Sequence, residues 1–491
     1  MPRRSARAAL LYGAVATAQV VTFTVPHELW QDGYSFAPLD RTPVGVSIEF
    51  YQFPAYINNV TATKQCLANW DHLAGKPPPL RIGGTTQDRA KYVAHQKAHV
   101  QYDGIDDPKK ATVPPLELTY GPSFLDLAGT YPGDVVLGLN RGHNDYDNTK
   151  KAAKQAVKSI KTLKAIELGN EPDFWSKQSQ PAIASKGWSP EKDAKSLNTW
   201  STRLSKALHR APLIQAGNWF GSPPTWSAAE LLQQQTRKDK KATYSYSHHN
   251  YPNRNTLREL MDHRQVVANV HAYAADAAAA VQAGKPYVFG ETNSHSSGGV
   301  AGLSSSFGAA LWTLDYALRA AAHNVSRAYF HQTTLGRCSY CFWDRDAVQA
   351  PYYGATAAVA VLAGAAHIGP LDNGTTAYAA YATWDRDGKP LRALLYNSDY
   401  YDTRFGFVKR SPLVTLAGLG KRSVVRAKRL TAQDALAQAV DETGRVSFGS
   451  QTFEAETCVA RGKEVFETVD VVDGQADFFL RPSEALVVYL Q

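Results

Sequence analysis

The stretch Ile166-Glu167-Leu168-Gly169-Asn170-Glu171-Pro172 decides the fold. An apolar run ending in an acid and a proline reads as a buried strand, which the chain leaves where proline has no N–H to pair. The stretch Tyr287-Val288-Phe289-Gly290-Glu291-Thr292-Asn293 has the same build. Six similar runs, at 44–50, 79–84, 134–140, 213–219, 244–251 and 327–333, complete a set of eight. They are nearly continuously apolar, as strands covered on both faces must be. Helical patterns separate them: Leu197, Trp200, Leu204 and Leu208 share one face after Ser189-Pro190, and Phe307, Leu311, Leu314 and Leu318 share another. This alternation predicts a (β/α)8 barrel over 44–369, with Glu171 closing the fourth strand and Glu291 the seventh.

Beyond residue 370 the helical spacing fades. The runs 378–384 and 391–396 flank Asp387-Gly388, a hairpin signal, with further turns at 441–445 and Asp473-Gly474 and a closing run at 485–490. Residues 370–491 are expected to form a β-sandwich packed directly on the barrel, since no Gly/Ser-rich linker intervenes. Residues 19–43 precede the first barrel run and are expected to add a strand to that sandwich.

At the amino terminus, Arg3, Arg4 and Arg7 precede an apolar stretch at 8–15 and the small-x-small triplet Ala16-Thr17-Ala18. This is the build of a secretory signal ending at residue 18, too short for a membrane anchor. The sequons at Asn59, Asn324 and Asn373 fit export. So do the four cysteines, which allow three disulfide pairings; Cys338 and Cys341 are spaced for a local bridge. The net charge of +9 is spread along the chain, which gives no footprint for nucleic acid or for a long sulfated polymer. With 25 tyrosines and 10 tryptophans the chain is well supplied with flat faces for sugar rings.

Two carboxylates at the C-terminal ends of barrel strands are what retaining glycoside hydrolysis needs, one to protonate the leaving oxygen and one to attack the anomeric carbon. Glu171 is expected to be the acid/base and Glu291 the nucleophile, with the charge of Glu291 keeping Glu171 protonated. Asn170 is placed to hydrogen-bond a sugar 2-hydroxyl. Tyr246 and Tyr251 bracket His248-His249 at the end of strand six, and a tyrosine or histidine there is expected to keep the nucleophile ionised. This chemistry requires no metal or organic cofactor.

Asn170-Glu171-Pro172 with Glu291 is the pattern of the clan A retaining glycosidases. More narrowly, the chain resembles glycoside hydrolase family 79, the β-glucuronidases and heparanase relatives. Four stretches carry this resemblance: Leu80-Arg81-Ile82-Gly83-Gly84-Thr85-Thr86-Gln87-Asp88, Leu168-Gly169-Asn170-Glu171-Pro172, Gly290-Glu291-Thr292-Asn293-Ser294 with Gly298-Gly299, and 330–340. It implies that Asp88 binds sugar hydroxyls in the −1 subsite. It also implies that backbone N–H groups around Gly298, together with Tyr340, hold a glucuronate carboxylate. Ser296 stands where heparanase has a tyrosine, and Cys338-Ser339 replaces a Gly-Asn pair. The expected activity is exo-acting removal of β-linked, including 4-O-methylated, glucuronic acid from glycans. A neutral-sugar glycosidase, an endo-acting heparanase-like enzyme and an inactive carbohydrate-binding protein are the alternatives.

Overall fold

The computed structural model describes residues 20–27, 37–107, 112–177, 183–184, 187–405, 412–440 and 445–491. The expected leader at 1–18 and most of the turn at 441–445 lie outside them. All eight apolar runs become strands: Val44–Glu49, Leu80–Gly83, Val135–Leu139, Leu163–Leu168, Ile214–Trp219, Thr243–Asn250, Tyr287–Thr292 and Val325–Gln332. They pair in parallel, in chain order, into a closed barrel. We number these barrel strands one to eight.

The barrel interior changes character from bottom to top. Near the N-terminal ends, Val136, Ala165, Val288 and Tyr329 form an apolar plug. Two residues further along the same strands, side chains again point inward, and there the chain places Gly138, Glu167, Gly290 and His331. The upper half of the barrel is therefore polar, and its charges must be paired because water is excluded.

The sandwich joins two sheets. Ala37–Pro38, His367–Pro370, Tyr378–Trp384, Pro390–Asn397, Glu484–Tyr489 and Val424–Thr431 belong to the larger one. Val21–Thr24 runs parallel to Leu413–Ala417, which pairs with Ala476–Phe479 in the smaller. The segment before the barrel thus contributes a strand to each sheet. His367–Pro370 pairs with Tyr378–Trp384, so the sandwich begins shortly before the expected boundary at 370. The larger sheet is buried on both faces. In Tyr378–Trp384, Ala380, Ala382 and Trp384 face the small sheet, whereas Ala379 and Tyr381 join the barrel's core. Helix Phe307–Ala322 was expected to be amphipathic but is buried throughout, because helix Ala350–Leu362 and the larger sheet lie against it. Helix Pro190–Leu208 begins as expected, with Ser189 capping it by accepting the Lys192 N–H. Cys66, on helix Thr61–Ala74, is bridged to Cys458 of the sandwich, and Cys338 to Cys341.

Candidate active site

Strand four ends at Leu168, before the expected end at Glu171. The chain then turns through Gly169 (φ 87°) and places Glu171 itself in the left-handed region (φ 48°). A Cβ on Gly169 would lie 2.7 Å from the Trp175 ring, so this turn requires glycine. The Glu171 N–H donates to the Asn218 carbonyl at 2.9 Å, and the Phe174 N–H to the Glu171 carbonyl at 2.9 Å. The neighbouring fifth strand thereby aims the glutamate. Glu291 sits inside strand seven, opposite His249 of strand six and next to a register shift in each flanking pairing. Irregularities of this kind re-aim side chains at barrel rims.

The two glutamates converge. Side-chain atoms of Glu171, His249 and Glu291 all lie within 4.8 Å of one another, close to the separation of a retaining pair and well short of an inverting one. Their surroundings differ. Glu291 Oε2 accepts from Arg81 Nη1 at 2.6 Å and Oε1 from the Tyr251 hydroxyl at 2.7 Å. Burial pushes the Glu291 carboxyl up. Its neighbours His331 and Arg81, the latter a fixed charge, and the Tyr251 hydroxyl outweigh burial and hold it well below the usual carboxylate range. Glu171 has His249 Nδ1 at 2.9 Å from Oε1. Burial, and then the charge of Glu291, raise Glu171 well above the usual range. Burial also pushes His249 down to about 4, so the imidazole orients the Glu171 carboxyl without contributing a cation. The environment therefore keeps one carboxyl protonated and the other ionised. These three groups have the donor types of a metal site, but the Arg81 guanidinium already occupies the place a cation would take against Glu291.

Arg81 ties the interior together. Its Nε and Nη2 donate to Glu167 at 3.0 and 2.5 Å, its Nη1 also reaches Ser47 at 2.9 Å, and its Nη2 the Asn170 Oδ1 at 3.0 Å. The last contact occupies the Asn170 oxygen and leaves its NH2 as the group able to donate to a sugar hydroxyl. Glu167 also accepts from Gln215 at 2.9 Å. His331 bridges Ser47 at 2.9 Å and Glu49 at 3.4 Å, and lies 3.7 Å from Glu291. Neither Arg81, Glu167, His331 nor Glu49 was singled out from sequence. Arg81 carried the signal: an arginine between Leu80 and Ile82 in a doubly covered strand must find carboxylates inside.

Other expected residues divide. Tyr251 holds the nucleophile, while Tyr246 points elsewhere and donates to Gln235 at 2.5 Å. Of the histidine pair only His249 belongs to the site. His248 faces the outer layer, between the Trp226 carbonyl and the Tyr287 hydroxyl, each at 2.8 Å, because neighbouring strand residues point to opposite faces. Asp88 has both carboxylate oxygens on backbone N–H groups. One oxygen accepts the Asn170 N–H at 2.6 Å, and the other the Arg141 and Gly142 N–H groups at 3.1 and 3.0 Å. Its observed work is to hold the backbone of Asn170. Asp173 accepts the Phe220 N–H at 3.0 Å, and burial pushes it up to about 8. The turn at Gly298 (φ 91°) and Gly299 meets the loop that carries Tyr340, and a Cβ on Gly299 would lie 3.1 Å from the Tyr340 ring. The Ser339 N–H donates to the Gly298 carbonyl at 2.7 Å, and the Tyr340 ring lies 6.3 Å from that of Tyr251. Of the sequons, Asn59 and Asn373 are exposed and Asn324 is half-buried.

Comparisons with known proteins agree with this geometry. The sequence model of the glycosyl hydrolase family 79 C-terminal beta domain matches residues 377–487. A β-glucuronidase from Aspergillus niger is 31% identical over 376 residues, 69% of this chain and 69% of its own length. One from Neurospora crassa is 31% identical over 373 residues, covering 66% and 64% respectively. Among solved structures, a 4-O-α-L-rhamnosyl-β-D-glucuronidase from Fusarium oxysporum, in complex with Rha-GlcA, is 43% identical with a TM-score of 0.90, over 96% of this chain and 100% of that one. An α-L-arabinofuranosidase from Thermotoga maritima, 13% identical with a TM-score of 0.64 over 96% of this chain and 99% of that one, shares the fold alone.

Proposed function

Because the chain belongs to glycoside hydrolase family 79, we propose that it is a retaining, exo-acting β-glucuronidase working by double displacement. The observation that carries this reading is the pair Glu171 and Glu291, within 4.8 Å and oppositely biased in charge. Glu291 attacks the anomeric carbon as Glu171 passes its proton to the glycosidic oxygen, releasing the aglycone and leaving the sugar esterified to Glu291. With the Glu291 charge gone, Glu171 accepts a proton from water, which attacks the same carbon and frees the sugar with its configuration retained. The Asn170 NH2 binds the 2-hydroxyl. Tyr340 and the turn at Gly298 receive the glucuronate carboxylate, where glycine lets backbone N–H groups approach an anion closely.

The substrate range in this reading includes glucuronates substituted at O4, as in the name of the 43% identical relative. Secretion, with glycans on Asn59 and Asn373, belongs to the same proposal and is supported by the two disulfides. The test is hydrolysis of p-nitrophenyl β-D-glucuronide and of its 4-O-α-L-rhamnosyl derivative, followed by NMR. The expected first product is the β-anomer. Release of the α-anomer, or faster turnover of neutral aryl glycosides, would overturn the reading. Glu291→Ala should be inactive, with azide restoring a glycosyl azide of inverted configuration.

A further inference from the structure

The Cys338–Cys341 disulfide closes a small ring of backbone around Ser339 and Tyr340. Its two ends sit in different surroundings. The sulfur of Cys341 is buried 3.4 Å from the hydroxyl of Tyr56, which donates to the Thr333 carbonyl at 3.0 Å. Cys338 is half-buried and packs with Phe220, Tyr251 and Tyr340. Within the ring, the Ser339 N–H reaches across to the Gly298 carbonyl at 2.7 Å. A Cβ on Gly298 would lie 2.7 Å from the Arg337 carbonyl, so the turn after strand seven and the loop after strand eight are seated directly on each other. Tyr340 is 1% exposed, with its ring 6.3 Å from Tyr251 and 6.4 Å from His331, the residues that flank Glu291.

We propose that this disulfide is a positioning element of the sugar-binding subsite, clamping Tyr340 against the Gly298 turn so that the wall beside the nucleophile is preformed. The proposal rests on the glucuronidase reading above. Neither catalytic carboxyl hangs from this loop: Glu171 is held by His249, and Glu291 by Arg81 and Tyr251. Loss of the bridge therefore acts first on substrate binding: of the groups that hold the reacting pair, Tyr251 packs against this loop, while His249 and Arg81 keep their bonds to Glu171 and Glu291. The other disulfide, Cys66–Cys458, joins segments remote from the site and is the natural control.

The experiment is steady-state kinetics of the full chain on p-nitrophenyl β-D-glucuronide, with thermal melts. C338S/C341S is expected to raise KM about tenfold while kcat stays within about threefold, the split expected of lost binding organisation. C66S/C458S is expected to lower Tm with KM unchanged. Gly298→Ala, which leaves the disulfide intact and displaces the loop it clamps, is expected to raise KM similarly and decides the matter if the double serine variant does not fold. A KM within about twofold of wild type in the folded C338S/C341S protein, or in Gly298→Ala where only that variant folds, overturns the proposal. A wild-type enzyme inactive on the glucuronide instead overturns the reading of the site.

Discussion

Tyr251 donates its hydroxyl to Glu291 at 2.7 Å, on the opposite carboxylate oxygen from Arg81. The bond favours the ionised nucleophile. Tyr251→Phe removes it and should raise the Glu291 pKa, moving the acid limb of the kcat/KM profile to higher pH. A hydrogen bond to a charged group contributes about 1.5–3 kcal/mol, so kcat/KM should fall roughly tenfold to a hundredfold. An unshifted acid limb would remove Tyr251 from this role.

The proton on Glu171 is held by burial and by the Glu291 charge. Glu291→Gln removes the second cause and keeps the first. The Glu171 pKa should therefore fall toward, without reaching, the ordinary carboxylate value, as it does in the esterified intermediate. Titration of the labelled carboxyl by 13C NMR checks this, and an unchanged pKa would mean that burial alone protonates the acid.

His263 stands between two aspartates where barrel meets sandwich, with Nδ1 2.8 Å from Asp315 and Nε2 2.9 Å from Asp372. Burial alone would lower its pKa; the two carboxylates outweigh burial and push it up to about 10. A raised folded-state value stabilises the protein fully below the unfolded value of about 6.5 and loses that contribution as pH rises toward 10. Tm should decline over this interval in wild type and more shallowly in His263→Gln. Parallel declines would show that the imidazolium does not couple the domains.

Cys66–Cys458 closes a loop of sequence separation 392. Chain entropy assigns such a crosslink about 6 kcal/mol, against about 2 for the short ring at Cys338. C66S/C458S should melt roughly 5 °C or more below wild type, and C338S/C341S much closer to it. The reverse order would contradict the loop-length account.

The barrel is legible because doubly buried parallel strands write themselves as unbroken apolar runs, and Glu171 and Glu291 stand out at the ends of two of those runs. What was not legible depends on direction. Sequence does not say which of His248 and His249 points inward, since strand parity is set by pairing and shifts at the register irregularity between them. Asp88 resembles a substrate ligand by position, and its oxygens accept from the backbone of Asn170, Arg141 and Gly142. Arg81 has no role that its own motif reveals, because its partners Glu167 and Glu291 come from strands distant in sequence. Helix Phe307–Ala322 looked amphipathic because the sheet that covers its outer face is made by residues after 366.

Val21–Thr24 finds its partner only at Leu413–Ala417. The barrel is thus threaded into the sandwich as an insertion. During vectorial synthesis the first strand emerges with nothing to pair with, and stays unpaired until the whole catalytic domain has been made. The barrel strands pair only with one another, so their hydrogen bonding needs no strand of the sandwich, whereas the larger sheet is complete only once Glu484–Tyr489 has been made. A chain halted before residue 413 has every barrel strand but lacks both the partner of Val21–Thr24 and the strand Glu484–Tyr489, so one flank of the barrel stays exposed to water until the last strands arrive.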